Sequence, residues 1–141
     1  EFLVPTGEVK GLLGTVLDLT VPRRLGDVLE NPPEGFDGYD NNYIFKDGAP
    51  NMQIPCAAAY AAKTGIMLEL LTTEPAVQFY TANFLAGQPG APRIRENKRH
   101  GGFCLEAQHY PDSPNHPAFP ATRLKPGEVY RQTTIYRFSV R

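Results

Sequence analysis

The sequence predicts an all-β domain, on three observations. Thirteen Gly and fourteen Pro are spread through 141 residues and cut the apolar residues into short runs, the punctuation of strands joined by turns. Two of those runs, Ala57–Ala62 and Ile66–Thr72, flank Lys63-Thr64-Gly65, a three-residue hairpin loop. The last stretch, Tyr130–Val140, concentrates β-branched and aromatic residues: Thr133, Thr134, Ile135, Tyr136, Phe138 and Val140, which suit a pleated, half-buried surface.

The elements follow in order. Gly14–Leu19 reads as a short strand, and Leu25–Leu29 as a single helical turn. Glu30–Asp40, rich in Gly, Pro and acidic residues, is a loop. Asn42–Phe45 is a strand, and Lys46–Asn51 turns the chain. In the second arm of the hairpin Met67, Glu69 and Leu71 alternate with Ile66, Leu68 and Leu70, the period of a strand. Ala76–Thr81 is a further strand, introduced by Pro75, and Phe103–Gln108 is the next. The turn Lys125-Pro126-Gly127-Glu128 leads to the final strand. The longest connection, Ala86–His100, carries charges and prolines and reads as a surface loop.

Composition bounds what such a domain does. Fourteen Lys and Arg face fifteen Asp and Glu, a formal net charge of -1, which excludes a bulk electrostatic binder of nucleic acid or membrane. No apolar run is long enough to span a bilayer, and Glu1–Pro5 has neither the basic nor the apolar region of a secretory leader. Cys56 and Cys104 both lie in apolar surroundings and read as buried, reduced thiols. There is no Cys-x-x-Cys, and His109 and His116 are badly spaced for a metal.

One carboxylate stands out. Glu106 lies in Gly102-Phe103-Cys104-Leu105-Glu106-Ala107-Gln108, directly before the proline-rich run that opens at Tyr110-Pro111. A carboxylate in such a strand faces solvent or a cleft, and in a cleft desolvation makes it a better proton acceptor. By residue type alone the solvent reading is the commoner. Asp40 alone reads as a turn residue beside Gly38, and Gln78 as an outward residue of an alternating strand. Phe79 and Tyr80 read as core, Asp112 as a loop cap, and Lys98-Arg99-His100 as a solvated basic face.

The chain resembles the aldose 1-epimerase (galactose mutarotase) family. The resemblance is carried by Pro5-Thr6-Gly7-Glu8-Val9 with Gly14-Thr15 and Asp18-Leu19, then by Gly38-Tyr39-Asp40-Asn41-Asn42-Tyr43. It continues in Thr72–Leu85, with its Gln78-Phe79-Tyr80-Thr81-Ala82-Asn83 block, and in His100–Gln108, with its Gly102-Phe103-Cys104-Leu105-Glu106 block. Pro111–Asn115, Phe119-Pro120 and Leu124–Tyr130 complete it. These blocks occur in the family's order over nearly the whole chain, and the two central ones are specific together.

The resemblance implies a particular fold. Residues 1–141 correspond to the C-terminal portion of a large antiparallel β-sandwich, the galactose mutarotase-like supersandwich. An N-terminal portion absent from this chain, or a second polypeptide, completes it, and a partial sandwich alone leaves apolar face and sheet edge exposed. It also implies a function: an isomerase that interconverts the α and β anomers of a hexose such as galactose or glucose. Glu106 matches the glutamate that acts as base on the anomeric hydroxyl, and Asp40 and Gln78 match residues that hold sugar hydroxyls. The histidine usual after the aspartate is Asn41 here. The acid partner is a histidine of the N-terminal portion, and that role is not carried over to His100. No metal or organic cofactor is implied. The alternative is a lectin-like protein that binds sugar without turnover. A relative acting on a phosphorylated hexose would aim Arg93, Arg95, Lys98 or Arg99 at the phosphate. Free cysteines and sugar metabolism favour the cytoplasm, with secretion as the alternative.

Overall fold

The computed structural model describes residues 4–46, 48, 50–85 and 98–141. It contains one short helix, α1 (Leu25–Leu29), and six strands: β1 (Asp40–Ile44), β2 (Ala57–Ala61), β3 (Ile66–Thr72), β4 (Ala76–Tyr80), β5 (Cys104–Gln108) and β6 (Thr134–Val140). A 3-10 turn spans Ser113–Asn115. The strands form two three-stranded sheets, ordered β1-β4-β5 and β2-β3-β6. The all-β expectation holds, as does the single helical turn.

The chain divides into two compact units. The first comprises residues 1–7, 42–78 and 105–141, and the second residues 8–41 and 79–104. Within the first, β2 and β3 form the predicted hairpin, antiparallel with Ala61 opposite Ile66 and Ala57 opposite Leu70, but its loop is the four residues 62–65 rather than the three expected, because Ala62 joins the turn. The turn is closed by the Thr64 and Gly65 amides on the Ala61 carbonyl, at 3.0 and 2.8 Å. Gly65 has φ +73°, and a Cβ there would come within 2.7 Å of the Arg141 carbonyl oxygen. Glycine is therefore needed twice over, for its backbone and for the approach of the C-terminal residue.

β6 pairs antiparallel with β3, Val140 opposite Ile66, Tyr136 opposite Leu70 and Thr134 opposite Thr72. Since side chains alternate across a sheet, this register puts Ala57, Ala59, Ala61, Ile66, Leu68, Leu70, Tyr136, Phe138 and Val140 on one largely apolar face that ends in the Thr72–Thr134 pair. Glu69 and Arg137 are paired on the other face, Arg137 Nε donating to Glu69 Oε2 at 3.0 Å. Burial changes along the strands. Leu70, Leu71 and Thr72 are buried, whereas Ile66, Phe138 and Val140 are exposed.

Three expectations need correction. Gly14–Leu19 is a pair of turns: Thr15 bonds back to the Leu12 carbonyl at 3.0 Å and Asp18 to that of Thr15 at 3.2 Å. Gly14 has φ +75°, and the Thr15 hydroxyl bonds local backbone on both sides, so short polar side chains outcompete a ladder. The final strand starts at Thr134, four residues later than its composition suggests. Cys104 is exposed, because it lies on the same side of β5 as Glu106, itself exposed, while Leu105 and Ala107 are half-buried. Cys56 is half-buried, and no disulfide joins the two. Most of the predicted loop Ala86–His100, with Arg93 and Arg95, lies outside the described residues.

Candidate active site

In the second unit the sequence builds a support for Asp40. Tyr39 is fully buried. Its ring packs against Phe36 and Phe79, both with centroids 5.0 Å away. Its hydroxyl donates to the Val16 carbonyl at 3.0 Å. Its amide donates to Thr81 Oγ1 at 2.9 Å, and its carbonyl accepts from the Thr81 amide at 3.0 Å and from Asn83 Nδ2 at 3.1 Å. Thr81 Oγ1 in turn donates to Asn83 Oδ1 at 2.8 Å. Buried polar groups satisfied this completely fix a single geometry. Gly38 has φ +118°, and a Cβ there would collide with the Asn83 amide. The chain thus leaves a locked Gly38-Tyr39 step with Asp40 exposed at the first position of β1. The Asp40 amide donates to Asn41 Oδ1 at 3.3 Å.

His100 is fixed in the same unit. It has φ +55°, and its Nδ1 lies 2.8 Å from the Thr81 carbonyl. Arg99 Nε donates to His100 Nε2 at 3.2 Å, which leaves Nδ1 to donate to the Thr81 carbonyl. Arg99 also forms an ion pair with Asp37 and donates to its carbonyl at 2.9 Å. A cavity of about 580 Å³ is lined by Leu25, Leu29, Thr81, Arg99, His100 and Phe103. Asp40 does not line it.

Gln78 and Glu106 fall together in the first unit, in the middle of β4 and of β5, strands adjacent in one sheet. Gln78 is half-buried and Glu106 is exposed. The β5 backbone is pinned beside Glu106 by Tyr136, whose hydroxyl donates to the Leu105 carbonyl at 2.6 Å. Among the described residues, Glu106 therefore has fixed backbone and no desolvating walls.

Sequence reasoning missed two features of this unit. Glu74 is the single charge between Leu70 and Leu85, a signal that could have marked it, and it is 3% exposed. His109 Nδ1 lies 2.7 Å from Glu74 Oε2. That is ion-pair distance when the imidazole carries a proton, without the alignment of a directed hydrogen bond. The Tyr130 hydroxyl donates to Glu74 Oε1, and this bond, with burial and the carboxylate's charge behind it, raises the phenol above its usual 10.0. Asn42, on β1, has both side-chain amide atoms buried with no hydrogen-bond partner among the described residues. Its sequence signal was its place in the Asp40-Asn41-Asn42 block.

Elsewhere the polar groups are structural. Burial pushes the Cys56 thiol up, and its Sγ donates to the Leu70 carbonyl at 3.3 Å. Asp18 is held low by the Thr20 hydroxyl and amide. Asp112, with φ +59°, stands at the start of the 3-10 turn without a side-chain cap bond; its carboxylate accepts from Asn115 Nδ2 and lies 3.5 Å from His116 Nε2. Among the described residues no group of three or more His, Cys, Asp or Glu is placed to hold a metal ion. No helix of the described residues is long and apolar enough to cross a membrane.

The chain is similar to known proteins. The galactose mutarotase of Homo sapiens is 44% identical over 140 residues, covering 99% of this chain and 40% of that protein. The aldose 1-epimerase of Escherichia coli (strain K12) is 30% identical over 141 residues, covering 96% of this chain and 40% of its own length. The crystal structure of a GalM/aldose epimerase homologue from C. elegans matches with a TM-score of 0.83, over 97% of this chain and 40% of that one. At 24% identity it bears on the fold alone. The chain thus spans about 40% of the length of the relatives it matches. The aldose 1-epimerase family model matches residues 1–137, and the chain belongs to that family.

Proposed function

We propose that this chain is the C-terminal portion of an aldose 1-epimerase that interconverts the α and β anomers of a hexose of the galactose or glucose type. Glu106 takes the proton of the C1 hydroxyl while an acid protonates the ring oxygen. The ring opens, the aldehyde turns, and the roles reverse on closing. Asp40 and Gln78 hold sugar hydroxyls and so fix the orientation of the ring while C1 turns. The acid, and the walls that desolvate Glu106, come from the N-terminal portion or from a second polypeptide.

One observation carries the reading. Glu106 stands in the Gly102-Phe103-Cys104-Leu105-Glu106 block, inside the residues that the aldose 1-epimerase family model matches, on a strand adjacent to the one that bears Gln78. The relatives' names, galactose mutarotase and aldose 1-epimerase, support the reaction class. The apolar face of β2, β3 and β6, exposed at Ile66, Phe138 and Val140, supports a covering layer, since soluble proteins rarely leave such a face open. Two cysteines not joined by a disulfide favour a reducing, cytoplasmic setting. Polarimetry on freshly dissolved α-galactose and α-glucose tests the proposal. The completed protein accelerates the decay of rotation. Sugar binding by calorimetry with no acceleration would make it a lectin-like protein instead.

A further inference from the structure

Resting on that reading, we propose that Glu74 is a positioning residue for the anomer exchange: its buried carboxylate, held between His109 and Tyr130, sets where β4 and β5 carry Gln78 and Glu106.

The argument begins with place. Residues 73–75 are the whole connection from β3 to β4, and so from one sheet to the other. Glu74 is two residues before β4 and four before Gln78. His109 is the first residue after β5 and three after Glu106. The contact of 2.7 Å between them therefore joins the start of the strand bearing Gln78 to the end of the strand bearing Glu106. Tyr130 adds the segment leading to β6, the strand whose Tyr136 hydroxyl holds the Leu105 carbonyl.

The backbone at Glu74 is fixed as firmly as its side chain. Its amide donates to Thr72 Oγ1 at 3.0 Å, and that hydroxyl lies 2.9 Å from Thr134 Oγ1. The Thr73 amide donates to the Thr133 carbonyl at 3.0 Å, and the Thr133 amide to Thr73 Oγ1 at 2.9 Å. The Pro75 carbonyl accepts from the Phe45 amide at 3.1 Å. A buried carboxylate is a poor way to gain stability, because desolvation offsets most of what its partners return. Its value lies in direction: two partners at one carboxylate fix two strand ends against each other, as supporting groups fix a catalytic constellation elsewhere. A small displacement of a base already costs a large factor in rate.

The test uses the completed protein. Glu74→Gln keeps the shape and loses the charge that faces His109. We expect kcat to fall at least tenfold with KM changed less than threefold and the melting temperature within a few degrees. Tyr130→Phe, which removes one hydrogen bond at an exposed ring, gives a smaller fall of about two- to fivefold in kcat, and it serves if Glu74→Gln does not fold. A lowered melting temperature with kcat unchanged would show a merely structural group and overturn the proposal. Amide hydrogen exchange decides independently of activity. Loss of the carboxylate should speed exchange in 104–110 by tenfold or more and leave 57–72 unchanged, whereas equal rates in both segments contradict it. A wild-type protein without mutarotase activity would sink the epimerase reading, while the exchange comparison would still decide whether Glu74 holds the two strands.

Discussion

β4 and β6 are alike in composition and opposite in surroundings. Both mix aromatic and aliphatic residues with polar ones, one in β4 and three in β6. In β4 Ala76, Val77 and Phe79 are buried, whereas in β6 every residue after Thr134 is exposed, Phe138 at 67% and Val140 at 77%. The difference is position. β4 is the central strand of its sheet and β6 an edge strand of the other. An apolar strand states that it needs a cover; its place in the sheet decides whether these residues supply one. β3 makes the same point within a single strand, buried at Leu70–Thr72 and open at Ile66.

The largest effect comes from truncating the covered end. Leu70→Ala should destabilise the chain by about 2–5 kcal/mol, the cost of a cavity at a fully buried side chain, read as a shift in the midpoint of denaturant unfolding. Phe138→Ser, on the same face two residue pairs away, should change it by less than about 0.5 kcal/mol. Equal losses at both sites would break the comparison. In the completed protein the Phe138 change should become costly, which marks the face as covered there.

Gly65→Ala comes next, at about 1–3 kcal/mol for a strained backbone, because the hairpin turn also receives the C-terminal residue. Thiol reactivity separates the same two environments. Cys104, exposed on the edge strand β5, should alkylate roughly tenfold faster near neutral pH than Cys56, whose thiolate burial disfavours. Mass spectrometry of partly labelled protein reads the ratio. The smallest effect is alkaline. Tyr130 keeps its proton more tightly folded than unfolded. That contribution is fully present below about pH 10 and is lost as pH rises through the folded value. Tyr130→Phe should flatten the fall in stability above pH 10.

What was legible in the sequence follows the same division. The hairpin and the strands around Gln78 and Glu106 could be read because alternation, turn residues and family blocks agreed; the hairpin's register could not, since Ala62 joins the turn and Ala61 faces Ile66. Gly14–Leu19 misled, since β-prone Thr15 and Val16 carry no information about the local hydroxyl bonds that make a turn. Cys104 misled because apolar neighbours in sequence are not neighbours in space on an edge strand. Glu74 escaped because residue type says nothing about pairing: its meaning lies in contacts with His109 and Tyr130, 35 and 56 positions away. For Asp40 the block named the residue, while its support by Tyr39, Thr81 and Asn83 needed coordinates.

The central claim is that Glu106 is the base. The direct measurement is the anomer-exchange rate of galactose by saturation-transfer NMR, on the completed wild-type protein and on its Glu106→Gln variant, with sugar affinity followed in parallel. The account predicts a loss of about 10²–10⁴-fold in rate, the contribution of a positioned base, with affinity retained. Exchange at the wild-type rate in Glu106→Gln would contradict it.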